Sequence, residues 1–450
     1  MTKQLAIDNG QLTIKKPETK KVAVHVLGCK VNQYEIEGIK ELFRERDYEI
    51  VDFDEKAHVY IIHTCTVTHL GDRKSRQYIR KAVKNNPGAI VAVTGCYAQV
   101  SPNEVEQIEG VDIVLGTKDR SRIVDVVESC QKGQQVKHIS DSMANNEFEE
   151  LPDFKPSRAR AFLKIQEGCD RFCTYCIVPY ARGPVKSRDI HNTVSEIKSL
   201  VNQGFQEIVL TGVHLGTYGK DLGSEMNLYN LLSELVEISE LKHLRISSLD
   251  PDEIHGDLLK LIIENEKICS HYHVPLQSGD NSILQKMGRR YTLDDYRKLI
   301  ANIRYKRPKA AFTTDIIVGF PGETEGFFAN TKEFIKEIGF TDIHVFKYSP
   351  RKGTPAAEYP EQVSSATKIQ RSSELIELSN VLWREYAQLF LGGEIQVLVE
   401  TNINNFWEGH TGNYLKVKFK ADIGNLTGKI IPVKLEEFGQ GKEILGTRVG

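Results

Sequence analysis

Six short apolar segments alternate with amphipathic helix patterns between about Arg160 and Asn380, and this repeat constrains the fold more than any other feature of the chain. The strand candidates are Phe162–Gln166, Glu207–Val213, Leu244–Leu249, His271–Gln277, Phe312–Phe320 and Ile343–Tyr348. The helix patterns between them are about Thr193–Gln203, Leu228–Ser239, Glu253–Asn265, Leu293–Arg304 and Glu325–Ile338. Strands that alternate with helices predict an α/β fold with a parallel sheet. Six repeats favour an open, partial (β/α)6 barrel at residues 159–388 over a closed eight-fold one.

The N-terminal section, residues 20–137, shows a similar alternation on a smaller scale. Its apolar runs, each followed by a helix pattern or a turn, are Val22–Leu27, Val59–His63, Ala89–Val93 and Asp112–Leu115. This pattern predicts an open parallel α/β sheet domain. The next segment, 138–158, is predicted to be an interdomain linker, because its central part is acidic, lacks Lys and Arg, and contains Asn145, Asn146 and Pro152.

The C-terminal section, residues 389–450, has a different character. Three short strand candidates, Glu394–Glu400, Tyr414–Phe419 and Gly428–Lys434, are joined by turns rich in Gly and Asn. Short strands with such turns predict a small β-barrel of the kind used as a binding module. Its basic and acidic residues are equal in number, so we expect shape and local contacts to matter there more than net charge.

The composition excludes several classes of protein. No apolar run is long enough to span a membrane, and the polar start of the chain does not resemble a signal peptide, so we expect a cytoplasmic protein. The net charge of −2 gives no overall polyanion-binding signal. Two basic stretches, Lys155–Asp189 and Lys286–Lys309, fit either a phosphate-backbone contact or a solvated face, and charge alone does not separate these alternatives.

The most specific chemical motif follows the first strand of the central section. Cys169, Cys173 and Cys176 stand in the run GCDRFCTYC, so three thiolates lie within eight residues. They can ligate three irons of one cubane and leave the fourth iron open for a substrate. Zinc is the main alternative for close cysteines, but it requires four ligands, and no second cysteine pair lies nearby.

Three further cysteines are far apart in sequence but share one position relative to the strands. Cys29, Cys65 and Cys96 each follow the end of an apolar run in the N-terminal section. Because the carboxyl ends of parallel strands share one crevice, the three thiols are predicted to converge on a second cluster. The alternative is three buried core cysteines. Four polar residues beside them are candidate donors to cluster sulfurs: Asn32, Gln33, Thr64 and Thr66.

Glycine-rich segments end several strand candidates of the central section, where a barrel enzyme binds its ligands. A strand-end glycine permits close approach of the backbone to a ligand, although a simple turn is the better explanation of each glycine taken singly. The candidate cofactor contacts at these ends are Thr211, Gly212, His214, Gln277, Gly319 and Gly322. Cys130 and Cys269 have no such placement and are interpreted as structural thiols.

Several motifs, taken together, resemble those of the radical S-adenosylmethionine methylthiotransferases. They are GCKVNQYEIEGI, HTCTV, VTGCYAQ, KIQEGCDRFCTYCIVPYARG, VPLQSGDNSILQKMGRRYT and DIIVGFPGET, and they extend over nearly the whole chain. The resemblance implies an N-terminal domain with an auxiliary [4Fe-4S] cluster, a radical S-adenosylmethionine partial barrel and a C-terminal TRAM-like barrel. It assigns Cys29, Cys65 and Cys96 to the auxiliary cluster, and the triplet from Cys169 to the radical cluster.

The resemblance also implies a mechanism. S-adenosylmethionine binds at the open iron of the radical cluster, and one electron cleaves it to methionine and a 5′-deoxyadenosyl radical. The auxiliary cluster holds the sulfur, and a second S-adenosylmethionine supplies the methyl group. No side chain is expected to act as a catalytic acid or base. The expected partners are tRNA, a sulfur source and a low-potential electron donor such as flavodoxin or ferredoxin.

The run Gly-Cys-Lys-Val-Asn-Gln around Cys29 looks like the branch that acts on threonylcarbamoyladenosine in tRNA, at position 37 beside the anticodon. This assignment depends mainly on Lys30, Val31 and Gln33. Two alternatives stay open: methylthiolation of isopentenyladenosine in tRNA, and a structural iron–sulfur protein that binds RNA. The segment from Pro184 to Arg188 is less basic than in many members, so its contribution to RNA binding is an open point.

Overall fold

The structure is a computed structural model and describes residues 4–8, 11–15, 19–144, 147–154, 156, 158–223, 226–421 and 424–449. The chain divides into two units, each described here by itself. Unit 1 comprises Met1–Asp141 and Glu149–Phe154, and unit 2 comprises Ser142–Phe148 and Lys155–Gly450. Among the described residues, every helix is too short or too polar to cross a bilayer.

Unit 1 contains a six-stranded sheet in which all neighbouring strands are parallel, as the sequence predicts. Its strand order is β4-β3-β5-β6-β7-β8, and a separate antiparallel pair, β1 and β2, precedes it. The strands are β1 (Gln4–Asp8), β2 (Gln11–Lys15), β3 (Lys21–Val26), β4 (Glu49–Val51), β5 (Val59–Thr64), β6 (Ile90–Gly95), β7 (Ile113–Leu115) and β8 (Val136–His138). The pattern had not predicted β1, β2, β4 or β8, which are short or polar.

Helices cover both faces of this sheet, and two separate apolar clusters fill the space between the layers. The helices are α1 (Lys30–Arg44), α2 (His69–Asn85), α3 (Cys96–Val100), α4 (Pro102–Glu106) and α5 (Ile123–Ser129). Every residue of β5 is buried, which explains its unbroken apolar sequence. Helix α2 begins after Thr68, whose side chain accepts a hydrogen bond from the Gly71 amide.

The acidic segment predicted as a linker is partly packed against unit 1. Leu151 and Phe154 are buried, and the Phe154 ring lies 5.2 Å from that of Tyr34. The contacts of these two apolar residues attach the segment to unit 1. The average composition of the segment is polar and acidic, so it did not reveal the effect of two single apolar residues. Asn145 and Asn146, which supported the linker prediction, lie outside the described residues.

Unit 2 begins with the predicted six-fold repeat, arranged as two three-stranded parallel sheets. The first has the order β13-β12-β9 and the second β14-β15-β16, and a parallel bridge between Leu244 and Ile268 links β13 to the segment before β14. The six strands are β9 (Ala161–Lys164), β12 (Glu207–Thr211), β13 (His243–Ile246), β14 (His271–His273), β15 (Ala311–Val318) and β16 (Asp342–Lys347). The minor strands β10 (Gln166–Glu167) and β11 (Lys186–Ser187) form an antiparallel pair.

The helices of unit 2 follow the predicted pattern with small shifts at their ends. They are α6 (Val178–Arg182), α7 (Ile190–Asn202), α8 (Leu228–Val236), α9 (Gly256–Glu264), α10 (Asn281–Lys286), α11 (Leu293–Lys306), α12 (Glu325–Ile338) and α13 (Ser365–Gln388). Helix α11 begins with a capping box, in which Thr292 and Asp295 each accept a hydrogen bond from the other's backbone amide.

The C-terminal section is a closed five-stranded barrel, as predicted, with the order β17-β18-β19-β21-β20. Its strands are β17 (Glu394–Ile403), β18 (Phe406–Thr411), β19 (Lys416–Lys420), β20 (Ile430–Phe438) and β21 (Ile444–Arg448). Strands β18 and β21 had been missed because glycines interrupt them. In β18, Gly409 is required because a Cβ there would lie 2.1 Å from the Leu398 carbonyl oxygen.

The turn between β18 and β19 packs against the amino-terminal ends of the (β/α)6 strands. The Tyr414 ring stacks on His271, with 4.7 Å between centroids, and lies 4.9 Å from the Arg245 guanidinium carbon. Arg245 also donates to the carbonyl oxygens of Thr411 and Gly412. These contacts close one end of the open barrel with an aromatic side chain of the small β-barrel.

Candidate active site

The three cysteines of unit 1 follow strands that end at the same level of the sheet. His63 of β5 pairs with Val26 of β3 on one side and with Thr94 of β6 on the other. Cys29 precedes the first residue of α1, Cys65 follows β5, and Cys96 begins α3 directly after β6. Their shared level confirms the strand-end placement that the sequence predicts.

Two glycines show how closely these strand ends approach each other. Gly28 has a φ of +108°, and a Cβ there would lie 2.8 Å from Cys65 Cβ and 3.1 Å from its Sγ. Gly95 has a φ of +95°, and a Cβ there would lie 2.6 Å from the Thr64 carbonyl oxygen. Both conformations are ones that larger residues rarely adopt. Glycine therefore permits the close approach of the loops that carry the three thiols.

Three of the four polar residues named as candidate donors to cluster sulfurs, Asn32, Thr64 and Thr66, form hydrogen bonds between neighbouring loops. Asn32 Nδ2 donates to the Leu27 and Thr64 carbonyl oxygens, at 2.7 and 3.1 Å. Thr64 Oγ1 donates to the Thr94 carbonyl, and Thr66 Oγ1 to Asp72 Oδ1, at 2.6 and 2.8 Å. These side chains join neighbouring loops, so their described bonds hold the cysteine-bearing backbone. Cys29 Sγ itself lies 3.7 Å from Asn32 Oδ1.

A buried charged group that the sequence analysis did not identify lies next to these strand ends. Glu35 is fully buried, with one carboxylate oxygen 3.1 Å from His63 Nε2 and the other 2.8 Å from Arg120 Nη1. Arg120 Nε is also 2.8 Å from Glu149. The group ties α1 and β5 to the start of α5, which keeps the strand end before Cys65 in place.

The cysteine loop of unit 2 is held by backbone contacts that require glycine. Gly168 and Gly183 both have positive φ, and a Cβ on Gly168 would lie 1.7 Å from the Pro184 carbonyl oxygen. The Cys169 amide donates to the Gly183 carbonyl at 3.0 Å. The Cys173 side chain is buried, whereas Cys169 and Cys176 are half-buried.

Two cationic side chains approach the sulfurs of this loop. Arg289 Nη1 donates to Cys173 Sγ at 3.4 Å, and its Nη2 donates to Asp250 at 2.5 Å. The His214 Nδ1 atom lies 3.5 Å from Cys169 Sγ, and its Nε2 lies 2.6 Å from Glu253 Oε1. Donors at this distance stabilise thiolates, which is the form that binds iron.

The pKa values of these groups follow from their ion pairs. Burial lowers the pKa of His214, but contacts with Asp250, Cys169 and Glu253 outweigh it and raise the value to about 12. Burial raises the pKa of Asp250, but His214 and Arg289 together bring it down to about 2. His214 is therefore a cation beside Cys169, and Asp250 is an ionised carboxylate beside His214 and Arg289.

The residues of the loop fit an iron–sulfur cluster. All three cysteines are free thiols, as are the other five of the chain. Burial, followed by the neighbouring Cys173, raises the pKa of the Cys176 thiol to about 12, so its proton must leave when a metal binds.

The candidate cofactor contacts lie at several strand ends around this loop. Thr211 ends β12, a Cβ on Gly212 would lie 2.9 Å from Gln166 Oε1, and the amide of His214 donates to that same oxygen at 2.7 Å. Gln277 has a φ of +66° and exchanges backbone hydrogen bonds with β15. Gly319 and Gly322 also have positive φ and lie against the side chains of Lys368 and Lys286.

Sequence reasoning had missed the residues that hold His214 and the cysteine loop. Arg171 forms ion pairs with Asp252 and Glu253, at 2.7 and 3.0 Å, and Arg289 pairs with Asp250. The signal was present: the acidic run from Asp250 to Glu253 follows a strand candidate, and Arg289 lies in one of the recognised motifs. In the sequence analysis, Arg289 was interpreted only as part of the basic stretch Lys286–Lys309 and of a family motif.

Two protein-family models match the chain. An uncharacterised protein family, UPF0004, matches residues 21–116, and the radical SAM superfamily matches residues 163–335. The first match covers strands β3–β7 of the unit 1 sheet but not β8, and the second covers most of the (β/α)6 repeat of unit 2.

Curated relatives align over almost the full length of the chain. A threonylcarbamoyladenosine tRNA methylthiotransferase of Bacillus subtilis is 44% identical over 427 residues, 93% of this chain and 94% of the relative. One of Aquifex aeolicus is 40% identical over 91% of this chain and 100% of the relative. A tRNA-2-methylthio-N6-dimethylallyladenosine synthase of Moorella thermoacetica is 35% identical over 94% of this chain and 96% of the relative.

A solved structure shares the fold. It is the radical S-adenosylmethionine methyltransferase TsrM of Kitasatospora setae, with cobalamin and a [4Fe-4S] cluster bound. The two chains superpose with a TM-score of 0.55 and 16% identity, covering 75% of this chain and 77% of the other. At this identity the likeness concerns the fold alone.

Proposed function

This chain belongs to the radical S-adenosylmethionine methylthiotransferases that modify tRNA, and from that premise we propose that it converts N6-threonylcarbamoyladenosine at position 37 to its 2-methylthio derivative. The observation that carries the proposal is 44% identity over 93% of the chain to a relative named for this reaction. The cysteine positions are consistent with it, because both triplets follow the carboxyl ends of strands in their sheets. The chain is accordingly an enzyme that transfers a sulfur-containing group.

We assign Cys29, Cys65 and Cys96 to an auxiliary [4Fe-4S] cluster, and Cys169, Cys173 and Cys176 to the radical cluster. The family's radical cluster and S-adenosylmethionine supply one-electron cleavage of the sulfonium, and its auxiliary cluster supplies the sulfur. A radical is needed because the adenine C2–H bond is neither acidic nor electrophilic at neutral pH. The protein's own residues position the reactants and exclude water.

Arg289 and His214 have a defined role in this proposal. They donate to the thiolates of Cys173 and Cys169, while Asp250 and Glu253 orient them. The proposed contacts to S-adenosylmethionine are Thr211, Gly212, His214, Gln277, Gly319 and Gly322. Because the reaction breaks a C–H bond through a radical, no side chain is assigned as a general acid or base.

We place the tRNA-binding module at residues 389–450, assisted by the basic stretches Lys155–Asp189 and Lys286–Lys309. The contacts of the closed β-barrel with the (β/α)6 strands support this placement. They fix the orientation of the β-barrel, so an anticodon arm bound to it would lie at a constant distance from the candidate active site. The proposed domain limits are 20–137, 159–388 and 389–450. We also propose that a low-potential donor such as flavodoxin or ferredoxin supplies the electron and that a separate source supplies the sulfur. The proposed location is the cytoplasm.

Anaerobic reconstitution with iron and sulfide tests this function. Given a strong reductant, the protein should cleave S-adenosylmethionine to 5′-deoxyadenosine and methylthiolate tRNA that carries threonylcarbamoyladenosine. Iron-loaded protein that binds tRNA without cleaving S-adenosylmethionine would instead favour the structural iron–sulfur alternative. Exclusive modification of isopentenyladenosine-containing tRNA would favour the runner-up reaction.

A further inference from the structure

Strand β15 presents its two faces to different surroundings. Phe312, Thr314 and Ile316 are fully buried, and the Phe312 ring packs 5.0 Å from the guanidinium carbon of Arg304 on α11. Side chains alternate along a strand, so Thr313 and Asp315 project from the opposite face, away from the helices. In a barrel of this type that face lines the interior.

Three polar side chains from adjacent strands meet on this interior face. Asp315 Oδ1 lies 3.1 Å from His344 Nδ1 on β16 and 3.4 Å from His273 Nε2 on β14. The Nδ1 atom of His273 lies 2.9 Å from Thr313 Oγ1, which fixes the ring orientation. We call His273, Asp315 and His344 the interior polar cluster.

The interior polar cluster is open on one side. The side chain of His344 is 54% exposed, that of Asp315 25% and that of His273 15%, so a ligand entering the barrel can reach all three. Burial raises the pKa of Asp315, but hydrogen bonds from both histidines outweigh it and hold the pKa well below its ordinary value. The cluster therefore offers a carboxylate acceptor beside imidazole N–H donors.

The height of the cluster in the barrel relates it to the candidate cofactor contacts. The Gln277 amide donates to the Asp315 carbonyl at 2.8 Å, so Asp315 lies on the strand next to a residue proposed to contact S-adenosylmethionine. Towards the other end, Thr313 lies 2.9 Å from His271, whose ring stacks on Tyr414. The cluster thus lies between the cofactor end of the barrel and the end that Tyr414 closes.

We infer that the interior polar cluster binds the N6 substituent of the substrate adenosine and selects a polar substituent over an apolar one; this inference rests on the proposed function. A threonylcarbamoyl group carries a urea, a hydroxyl and a carboxylate. Asp315 accepts from its urea N–H or hydroxyl groups, and His344, the more exposed histidine, donates to its carboxylate. An isopentenyl group has no polar atom. It would displace the water bound to the cluster without forming hydrogen bonds in place of those that the water had formed.

The energetic basis of the selection is the cost of leaving buried polar groups unpaired. A site that forms hydrogen bonds to a substrate rejects an analogue without those groups far more strongly than an apolar pocket rejects an added polar group. The interior polar cluster is therefore a specificity determinant, and the C2 chemistry itself does not depend on it.

His344→Phe is the most direct test, because it keeps a ring and removes the donor. Anticodon stem-loops with threonylcarbamoyladenosine and isopentenyladenosine compete for the reconstituted enzyme, and binding of each stem-loop is measured separately. We expect the preference for the threonylcarbamoyl substrate to fall at least tenfold, mainly through weaker binding. His344→Gln, which keeps a donor, should restore part of the preference. His191→Phe, at an exposed histidine of α7 outside the barrel, is the matched control.

Several results would overturn the inference. One is an unchanged preference in His344→Phe while the wild-type enzyme modifies the threonylcarbamoyl substrate. A second is a loss of S-adenosylmethionine binding in that variant, which would assign the cluster to the cofactor. A third is tight binding of zinc by the wild-type protein that the variant loses, since two histidines and a carboxylate also suit a divalent metal. Failure of the proposed function is seen separately, as a wild-type enzyme that leaves the threonylcarbamoyl substrate unmodified.

Discussion

At the residue scale, burial alone does not distinguish the candidate ligand cysteines from the candidate structural thiols. Cys96 and Cys130 are both buried, but Cys96 begins a helix at the carboxyl edge of a parallel sheet, whereas Cys130 follows the end of α5. Their positions after a strand pattern and after a helix pattern were visible in the sequence, and the different roles assigned to them depend on that difference. The contact of Arg289 with Cys173 was not predictable from the sequence, because Arg289 is far from the cysteines along the chain.

Iron content separates a ligand from a structural thiol. Cys96→Ser should reduce the reconstituted protein from about eight irons per chain to about four, because the proposed auxiliary cluster loses one of its three protein ligands. Cys130→Ser should keep the full content. Colorimetric iron and sulfide analysis measures both variants. Full iron content in Cys96→Ser would contradict the ligand assignment.

Arg289 provides a second test at this scale. Arg289→Leu removes a charged donor from Cys173 Sγ and leaves Asp250 without one of its partners. Since hydrogen bonds to cluster sulfurs stabilise the reduced, more negative state, we expect a lower reduction potential in the variant. Arg289→Lys keeps the charge, so its reduction potential should lie between those of the wild type and Arg289→Leu. A redox titration followed by electron paramagnetic resonance reports the change, and an unaltered potential in Arg289→Leu would refute this role.

At the scale of elements, the sequence predicted which segments are strands better than where they end. The pattern extended β14 to Gln277, but the strand stops at His273, because Pro275 lacks an amide donor and Gln277 adopts a positive φ. Val274 and Leu276 are apolar and favoured a longer strand, whereas Pro275 was the sign in the sequence that the strand stops. The local turn that results is part of the candidate cofactor end.

The amino-terminal ends of the same strands contain a buried ionic group that makes stability depend on pH. Glu207 is buried, with Arg245 Nε at 2.8 Å and Arg160 Nη1 at 3.5 Å, and Arg160 also contacts Glu400 of the small barrel at 2.5 Å. Burial raises the pKa of Glu207, but Arg245, His243 and Arg160 bring it far below its ordinary value. A lowered folded-state pKa stabilises the fold above the unfolded pKa of about 4.3.

Glu207→Gln should lower the free energy of unfolding by about 3 kcal/mol at pH 7, because it removes the buried partner of two arginines. The difference in the free energy of unfolding between wild type and variant should become smaller as the pH falls below about 4, because protonation of Glu207 then removes the same charge from the wild type. Glu237→Gln, at an exposed position, is the control. Denaturant unfolding at several pH values checks this, and a gap that is constant with pH would contradict it.

At the scale of the whole molecule, the order of the architecture was predictable and its internal contacts were not. Alternating strands and helices defined the parallel sheet and the (β/α)6 repeat, and short strands with Gly and Asn turns defined the closed barrel. The packing of Tyr414 against Arg245 and His271 joins residues far apart in sequence, and no local pattern encodes such a contact. The interior polar cluster was missed for the same reason, since its three members come from three strands.

The central claim is that this chain methylthiolates threonylcarbamoyladenosine in tRNA, and nucleoside analysis by mass spectrometry tests it most directly. In tRNA from a strain that lacks the protein, we predict that 2-methylthio-N6-threonylcarbamoyladenosine is absent and its unthiolated precursor accumulates. The wild-type gene should restore the product, and a Cys173→Ala gene should not. An unchanged level of that nucleoside, or the loss of the methylthio isopentenyl nucleoside in its place, would contradict the claim.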